Sequence, residues 1–299
     1  MRQGSGTVPN AWSVFRSGTR LTTGVGGFAL AAIMTTGAVE VPRVLSAENQ
    51  FRRFGFCEDG RTIAATDGKS VWRIDWPTGA VRAQATPFTV ERPPCVLRAL
   101  GSSADGKWWA TNGPGGSVAV RHASTGASAQ TLAADIARTN GIAFSPDGQW
   151  LAAGGLDNDI HVWDVRSWRK VTTVSALSHA TFALAWSPDS KTLFASGASR
   201  TVTAITSGTW AVARSSTPLK FVLTDIAVSP DGNTLAVAGF DPLSTALPSA
   251  VRFLDAATLA ELRSMPTESS VDGLAYSPDG KSLLAVVNGR KGILVWPLE

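Results

Sequence analysis

Short apolar segments alternate with polar, turn-forming segments along the whole chain. In one example, the apolar residues 274–276 lead into Ser277-Pro278-Asp279-Gly280, and residues 283–287 are again apolar. Proline presets the backbone of a turn, aspartate accepts hydrogen bonds from nearby amides, and glycine tolerates a positive φ. No long stretch shows the 3.6-residue apolar period of a helix between caps. The pattern therefore predicts an all-β chain of short strands joined by tight turns.

The turn phrase returns at a nearly constant interval. Weaker copies occupy residues 56–60 and 103–106, and the clear copies begin at Phe144, Trp186, Val228 and Tyr276. Successive copies lie 42 to 48 residues apart. A period of about 40–45 residues is typical of β-propellers, whose blades each contain four short strands. We name these strands a to d from the centre outward, and the phrase is predicted to join strands a and b.

The repeat predicts one seven-bladed propeller of four-stranded antiparallel blades over residues 1–299. Residues 10–45 lack a clear turn phrase but repeat the order of parts seen in residues 184–208, so they are interpreted as the first blade. Because the last blade stops at strand c, residues 3–8 are expected to add its outer strand and close the ring. The predicted blades are approximately 10–45, 51–84, 95–133, 137–175, 179–216, 221–264 and 270–299.

A competing interpretation concerns the region around residues 16–41. Its apolar part could be the core of a leader behind Arg16 and Arg20, which would leave six blades and an exported envelope propeller. Three glycines and four threonines within residues 21–36 make that segment a poor membrane span, and no small-x-small cleavage site follows directly. We therefore expect a cytoplasmic protein with no membrane span, with export as the alternative.

Composition limits the class of protein further. The chain is 44% hydrophobic and 17% charged, which indicates a globular fold. The formal net charge of +4 is scattered, with Arg52-Arg53 as the densest basic spot, so no nucleic-acid partner is expected. Cys57 and Cys95 fall at opposite ends of a strand in different blades, which predicts two free thiols.

The best repeat unit gives a family resemblance. Residues 142–148 read Ile-Ala-Phe-Ser-Pro-Asp-Gly, and strand c ends in Trp163-Asp164. The chain resembles WD40-repeat proteins, especially the divergent bacterial kind with Phe-Ser-Pro-Asp-Gly turns, over essentially its whole length. The Trp-Asp pair occurs once, however, and the family's Gly-His dipeptide appears only as Ser178-His179. No blade carries the full His, Ser/Thr, Asp and Trp hydrogen-bond set of that family, so stability is expected to rest on apolar packing between blades.

The residues offer little chemistry. The histidines are His122, His161 and His179, and no two share a ligand-like spacing. There is no Cys-x-x-Cys pair and no Gly-x-Ser-x-Gly elbow. Asp157 and Asp159 are too few for a calcium site and are explained by turn formation. We expect no catalytic residue, no metal site and no cofactor.

Two surfaces are candidate partner sites. The first is formed by two long loops with apolar tips on the b–c and d–a face, at residues 87–94 and 240–249. Their candidate contacts are Phe88, Arg92, Asp241, Leu243 and Leu247. The second is the c–d turn rim, where Trp168 and Trp210 occupy equivalent places in adjacent blades. An exposed tryptophan pair would be an interface anchor, and the alternative is that each ring folds back over its own hairpin.

The favoured function is a noncatalytic scaffold that binds a protein or peptide through its loop face, as a subunit of a larger assembly. The family resemblance implies this, because most such rings are binding platforms. The alternatives are a propeller enzyme or small-molecule binder that uses the central channel, and the exported propeller named above. The sequence does not determine the oligomeric state.

Overall fold

The strands form six four-stranded antiparallel sheets in the part of the chain that the structure describes. This computed structural model describes residues 43–45, 50–57, 60–67, 71–85, 99–134, 136, 138–175, 177–240 and 249–298. The chain begins there with β1 (Arg43–Leu45) and continues through blade 1, formed by β2 (Arg53–Phe56), β3 (Thr62–Thr66), β4 (Val71–Asp75) and β5 (Val81–Ala85). Blade 2 follows with β6 (Leu100–Ser102), β7 (Trp108–Asn112), β8 (Val118–His122) and β9 (Ser128–Leu132).

The remaining blades follow the same plan. Blade 3 contains β10 (Thr139–Phe144), β11 (Trp150–Gly155), β12 (Ile160–Asp164) and β13 (Lys170–Val174). Blade 4 contains β14 (Thr181–Trp186), β15 (Thr192–Gly197), β16 (Val202–Thr206) and β17 (Val212–Ser215). Blade 5 contains β18 (Val222–Val228), β19 (Thr234–Phe240), β20 (Ser249–Asp255) and β21 (Glu261–Thr267). Blade 6 contains β22 (Val271–Tyr276), β23 (Ser282–Val287) and β24 (Ile293–Pro297), with β1 as its fourth strand.

The ring closes with six blades, so the predicted seven is wrong and the six-blade alternative is correct for the ring itself. Each innermost strand contacts the innermost strands of both neighbouring blades, and β22 of blade 6 contacts β2 of blade 1 directly. At that junction a Cβ added to Gly273 would lie 3.3 Å from Cδ1 of Phe54. This close contact leaves no space for another blade. Residues 10–42, most of the predicted first blade, lie outside the described residues.

The outer strand of blade 6 also differs from the prediction. Its free edge at β24 is occupied by β1, with Leu45 opposite Ile293 and Arg43 opposite Val295. The prediction that residues 3–8 close this blade is therefore corrected to residues 43–45. Leu45 is buried and fills the space beside Gly79 of blade 1, where an added Cβ would lie 2.9 Å from Cδ2 of Leu45. A single side chain thus fixes the closing strand against the next blade.

Apolar clusters occupy the junctions between blades. A cluster of buried residues from blades 2 and 3 includes Val120 and Phe144, and one from blades 5 and 6 includes Phe253 and Leu283. Comparable clusters join blades 3 and 4, blades 4 and 5, and blades 6 and 1. The junction of blades 1 and 2 has a smaller cluster around Trp109, over which the Arg73 guanidinium lies 5.0 Å from the ring centroid. The expectation that apolar packing between blades holds the ring together agrees with this arrangement.

Blade 3 replaces the typical WD40 hydrogen-bond set with a local pair. Nε2 of His161, on strand c, lies 2.6 Å from Oδ2 of Asp157 in the b–c turn. The His161 ring stacks on Trp163 with ring centroids 6.0 Å apart. The histidine therefore comes from the same hairpin as the aspartate, and not from the loop before strand a.

Candidate functional site

The a–b turns form one face of the ring, and those of blades 2 to 6 are built by the same hydrogen bonds. In blades 2 to 6 the serine at the head of each turn donates to the turn aspartate, with Oγ–Oδ1 distances of 2.5–2.7 Å. The same serine oxygen accepts the amide that opens strand b, for example from Thr234 to Ser229 at 2.9 Å. Each carboxylate is thus held by its own turn, which makes this face a fixed scaffold for the side chains between the turns.

The two rim tryptophans pack between blades on this face. Trp168 of blade 3 meets Trp108 of blade 2 edge-on, with ring centroids 5.6 Å apart. Trp210 of blade 4 meets Trp150 of blade 3 at 5.3 Å and Trp186 of its own blade at 6.2 Å. Both indoles are therefore partly buried and reach the neighbouring blade, an arrangement that neither the exposed-pair nor the own-hairpin interpretation describes.

The other predicted contacts cannot be placed. Phe88, Arg92, Asp241, Leu243 and Leu247 lie outside the described residues, so their role stays a prediction. Cys95 also lies outside, so the separation of the two thiols remains untested.

A cleft of about 690 Å³ opens on the a–b turn face between blades 5 and 6. Pro230, Phe253 and Leu262 contribute apolar surface from blade 5, and Leu298 contributes it from blade 6. The side chain of Leu262 is 59% exposed, the highest value among the large apolar residues described as exposed. The cleft therefore combines volume with accessible apolar surface, the combination expected of a recognition site.

Polar groups also line this cleft. The guanidinium of Arg263 lies over Phe253, 3.9 Å from the ring centroid. The hydroxyl of Tyr276 is buried and has no hydrogen-bond partner among the described residues. Burial raises the pKa of Tyr276, so the phenol stays neutral and can donate as well as accept. A buried hydroxyl without a partner is uncommon in folded proteins, so this tyrosine is an unusual feature of the cleft wall.

Two turn aspartates border the cleft. Asp231 and Asp279 have pKa values below the ordinary value, chiefly because Ser229 and Ser277 donate hydrogen bonds to them. Both are therefore ionised at neutral pH, and both line the cleft together with Arg263. The site offers a cation, two anions and a neutral hydroxyl around an apolar floor.

The sequence explains why the cleft exists. The first residue of strand b pairs with the last residue of strand c in every blade, as in Trp150 with Asp164 and Thr234 with Asp255. This position is tryptophan in blades 2 and 3, where an indole from the next blade packs against it. In blade 5 it is Thr234, which is too small to fill the same space. Sequence analysis missed Thr234, Arg263 and Tyr276, because strand b begins with a residue other than tryptophan in four of the six blades, at Thr62, Thr192, Thr234 and Ser282.

A smaller cleft of about 380 Å³ lies at the equivalent place between blades 4 and 5. Here strand b begins with Thr192, and the c–d turn position is held by Leu259, which is buried. Arg214 lines this cleft at the place that Arg263 takes in the larger one. Both clefts therefore have a threonine at the start of strand b, and Leu259 packs at the junction of the smaller one.

The central channel holds a second group of charges. All six blades line a cavity of about 110 Å³, which includes Arg53 and Asp225. Nη2 of Arg53 donates to the carbonyl oxygen of Thr224 at 3.4 Å, so this side chain of blade 1 reaches blade 5. Oδ2 of Asp225 accepts the Leu274 amide of blade 6 at 2.6 Å. The charged groups therefore tie three blades together around the channel.

Burial raises the pKa values of two aspartates on the innermost strands. Desolvation raises the pKa of Asp225, and the nearby Arg53 and the Leu274 amide oppose that effect. Desolvation likewise raises the pKa of Asp272, against the charges of Arg53 and Arg52. The sequence identified Arg52-Arg53 only as a basic spot, because their acidic partners lie far along the chain.

The described residues hold no group of three or more His, Cys, Asp or Glu side chains that could bind a metal ion. In that same part of the chain, no helix is long and apolar enough to cross a membrane.

Comparisons with known proteins agree with the fold. The family profile "WD domain, G-beta repeat" matches residues 129–164, from β9 through strand c of blade 3. No curated protein sequence matches the chain.

Three solved structures are similar over most of the chain. "Structure of U3-55K" has a TM-score of 0.64 at 15% identity, covering 86% of this chain and 98% of that one. Kuenenia stuttgartiensis hydrazine synthase has a TM-score of 0.65 at 20% identity, covering 88% and 78%. The Cps50 (Swd1) β-propeller domain of Myceliophteria thermophila has a TM-score of 0.64 at 12% identity, covering 87% and 100%. Identities this low show the fold alone, a β-propeller, and the profile match makes residues 129–164 similar to a WD40 repeat.

Proposed function

We propose that the protein is a noncatalytic scaffold that binds a protein or peptide partner. The observation that supports this most directly is the cleft between blades 5 and 6. It joins an exposed leucine, a stacked arginine and a buried hydroxyl without a partner on a fixed turn face. Most binding energy at protein interfaces comes from a few such anchors in well-formed pockets, surrounded by contacts that exclude water.

Partner capture with surface variants tests the proposal. The tagged full chain would be used to capture proteins from a lysate of its native host, beside the variants L262D and V171D. Leu262 and Val171 are 59% and 46% exposed, and each is the extra residue at the bulge where strand d begins. Because Val171 lies in blade 3, V171D is the matched control for a charge on an exposed outer strand.

The expected result is one partner, retained in proportion to the bait, that is lost with L262D and kept with V171D. Equal capture by wild type and L262D would exclude this cleft. A further variant, in which a short Asp-Gly turn replaces residues 241–249, then tests the loop face to which Phe88, Arg92, Asp241, Leu243 and Leu247 are assigned as proposed contacts. Failure of the wild type to retain any partner in proportion to the bait would count against the scaffold function.

A small-molecule site in the channel is the second candidate. It is favoured by Asp225 and Asp272, whose raised pKa values are typical of functional acids. Against it, Arg53 and Asp225 already bond to the backbone of other blades, and the cavity of about 110 Å³ is small. Screening metabolites by thermal shift against wild type and D272N would decide, since a channel ligand should stabilise only the wild type.

A further inference from the structure

The junction of blades 3 and 4, which a tryptophan fills, shows what kind of side chain would fit the cleft between blades 5 and 6. Trp210 lies between Trp150, the first residue of strand b in blade 3, and Trp186, the last residue of strand a in blade 4. The strand register assigns the same two places at the junction of blades 5 and 6. Thr234 pairs with Asp255 as Trp150 pairs with Asp164, and Tyr276 pairs with Leu283 as Trp186 pairs with Leu193.

The space between Thr234 and Tyr276 is therefore the counterpart of the space that Trp210 fills. Both residues line the cleft of about 690 Å³. The described part of blade 6 provides no residue at the c–d turn position that Trp168, Trp210 and Leu259 occupy in blades 3 to 5. Among the described residues, the open cleft is thus a blade junction without a rim side chain.

We propose that this cleft accepts a tryptophan side chain from a partner peptide, which completes the junction as Trp210 completes the junction of blades 3 and 4. This rests on the proposed scaffold function and names the anchor by which the partner is held. The apolar floor of Pro230, Phe253 and Leu298 suits an indole ring, which buries a large area at low entropic cost.

The polar groups of the cleft favour tryptophan over other large apolar residues. The indole N–H is a donor only, and the buried hydroxyl of Tyr276 has an acceptor oxygen with no partner among the described residues. Thr234 takes the place that Trp150 holds in blade 3. Because threonine is smaller, it leaves space for the indole of a partner peptide and for the backbone attached to it. Arg263, stacked on Phe253 at the outer side, can then donate to a backbone carbonyl of the peptide.

The chain provides its own reporter for this site. Tyr276 is its only tyrosine, so labelling the full-length protein with 3-fluorotyrosine gives one ¹⁹F resonance, and that resonance lies in the cleft. The probe is a capped Gly-Gly-Trp-Gly-Gly peptide, and capped Gly-Gly-Leu-Gly-Gly is the comparison. We expect a saturable shift with the tryptophan peptide and at least a tenfold weaker response to the leucine peptide.

Two variants control the interpretation. T234W places an indole in the cleft from blade 5 and should abolish the response to the peptide. T192W makes the same change at the equivalent position of blade 4, and should leave the response of Tyr276 intact. Should T234W not fold, Y276F tests the same point by calorimetry, with an expected loss of about three- to tenfold in affinity for the tryptophan peptide.

Three results would overturn the inference. They are no saturable shift at the solubility limit of the peptide, an equal response to the leucine peptide, and a ¹⁹F shift that follows protein concentration without peptide, which would assign the cleft to a second copy of the chain. The scaffold function is tested separately, because a captured partner that T234W still retains refutes the tryptophan site alone. A peptide response without any captured partner refutes the scaffold function alone.

Discussion

The indole of Trp210 lies edge-on to that of Trp150 on the neighbouring blade, at an interplanar angle of 89°. Trp210 also has a φ of 57°, in the left-handed region that disfavours side chains. The equivalent residues of blades 1 and 2 are Gly79 and Gly126, with φ of 79° and 72°. Packing between blades therefore stabilises a backbone conformation that the residue alone would avoid.

This relationship predicts different results for two substitutions of Trp210. W210A removes the aromatic contacts and keeps the unfavourable φ, so we expect a loss of about 2–4 kcal/mol in the free energy of unfolding. W210G removes the same contacts but relieves the backbone, so its loss should be smaller by about 1 kcal/mol. Urea unfolding of both variants checks the order. A glycine variant less stable than the alanine variant would contradict this account.

Ser190 provides a second test of backbone strain. It occupies the glycine position of the turn in blade 4 with a φ of 60°, and its Oγ accepts the Asp147 amide of blade 3 at 3.0 Å. S190A loses this bond between blades and keeps the strain, so we expect a loss of about 1–2 kcal/mol. S190G loses the bond but relieves the strain, so its stability should stay close to wild type. Thermal unfolding of the two variants in parallel distinguishes them, and equal losses would show that strain contributes nothing.

The turn aspartates predict loss of stability in acid. Hydrogen bonds from the turn serines lower the pKa values of Asp189, Asp231 and Asp279 below 3.8. A carboxyl with a lowered pKa in the fold stabilises the protein above the unfolded value, and this contribution is lost as pH falls through the folded value. The thermal midpoint should therefore decrease as pH falls below 3.8, the ordinary aspartate value.

The triple variant D189N/D231N/D279N isolates this effect. Its midpoint at neutral pH should be lower than that of wild type, because it lacks the charged acceptors. Its further decrease in acid should be shallower, since three of the titrating groups are gone. The same slope in both proteins would assign acid sensitivity to other groups.

The buried Asp225 predicts the opposite dependence of stability on pH. Burial raises its pKa, so its carboxyl destabilises the fold once pH rises through the folded value and has no such effect below the unfolded value. D225N keeps an acceptor for the Leu274 amide without the charge. We expect the stability of D225N relative to wild type to increase as pH rises from 3.8 through that raised pKa, measured by urea unfolding at several pH values. A relative stability that is constant with pH would show that Arg53 already neutralises the acid.

The repeat predicted most of the ring because its signals are local. Turn phrases such as residues 145–148 determine where strands a and b meet, and they do so without distant partners. The extra blade at residues 10–45 was predicted from spacing and from the order of its parts, neither of which carries information about contact between blades. The number of blades depends on whether β22 meets β2, which is set by the sum of the small rotations from each blade to the next. No local segment of the sequence encodes that sum.

The cleft depends on relationships that cross the chain. Tyr276 and Thr234 are 42 residues apart and belong to different blades, so neither marks a site by itself. Only a comparison with Trp150, Trp186 and Trp210 in space shows that a side chain is missing between them. The channel charges are equally hard to recognise in the sequence, because Arg53 of blade 1 interacts with Asp225 of blade 5, 172 residues further along the chain.

The short strand β1 has a consequence for how the protein forms during synthesis. Blade 6 joins residues 43–45 to residues 271–297, so β24 must leave the ribosome before the circle can close. Blades 1 to 5 each draw their strands from one continuous stretch and can form in order. Until β24 emerges, Leu45 has no Ile293 to pair with, and blades 1 and 5 each expose an apolar flank. Until then the nascent ring is an open arc with an apolar flank at each end, and it closes by a long-range pairing whose loop-closure entropy is lost only after β24 has emerged.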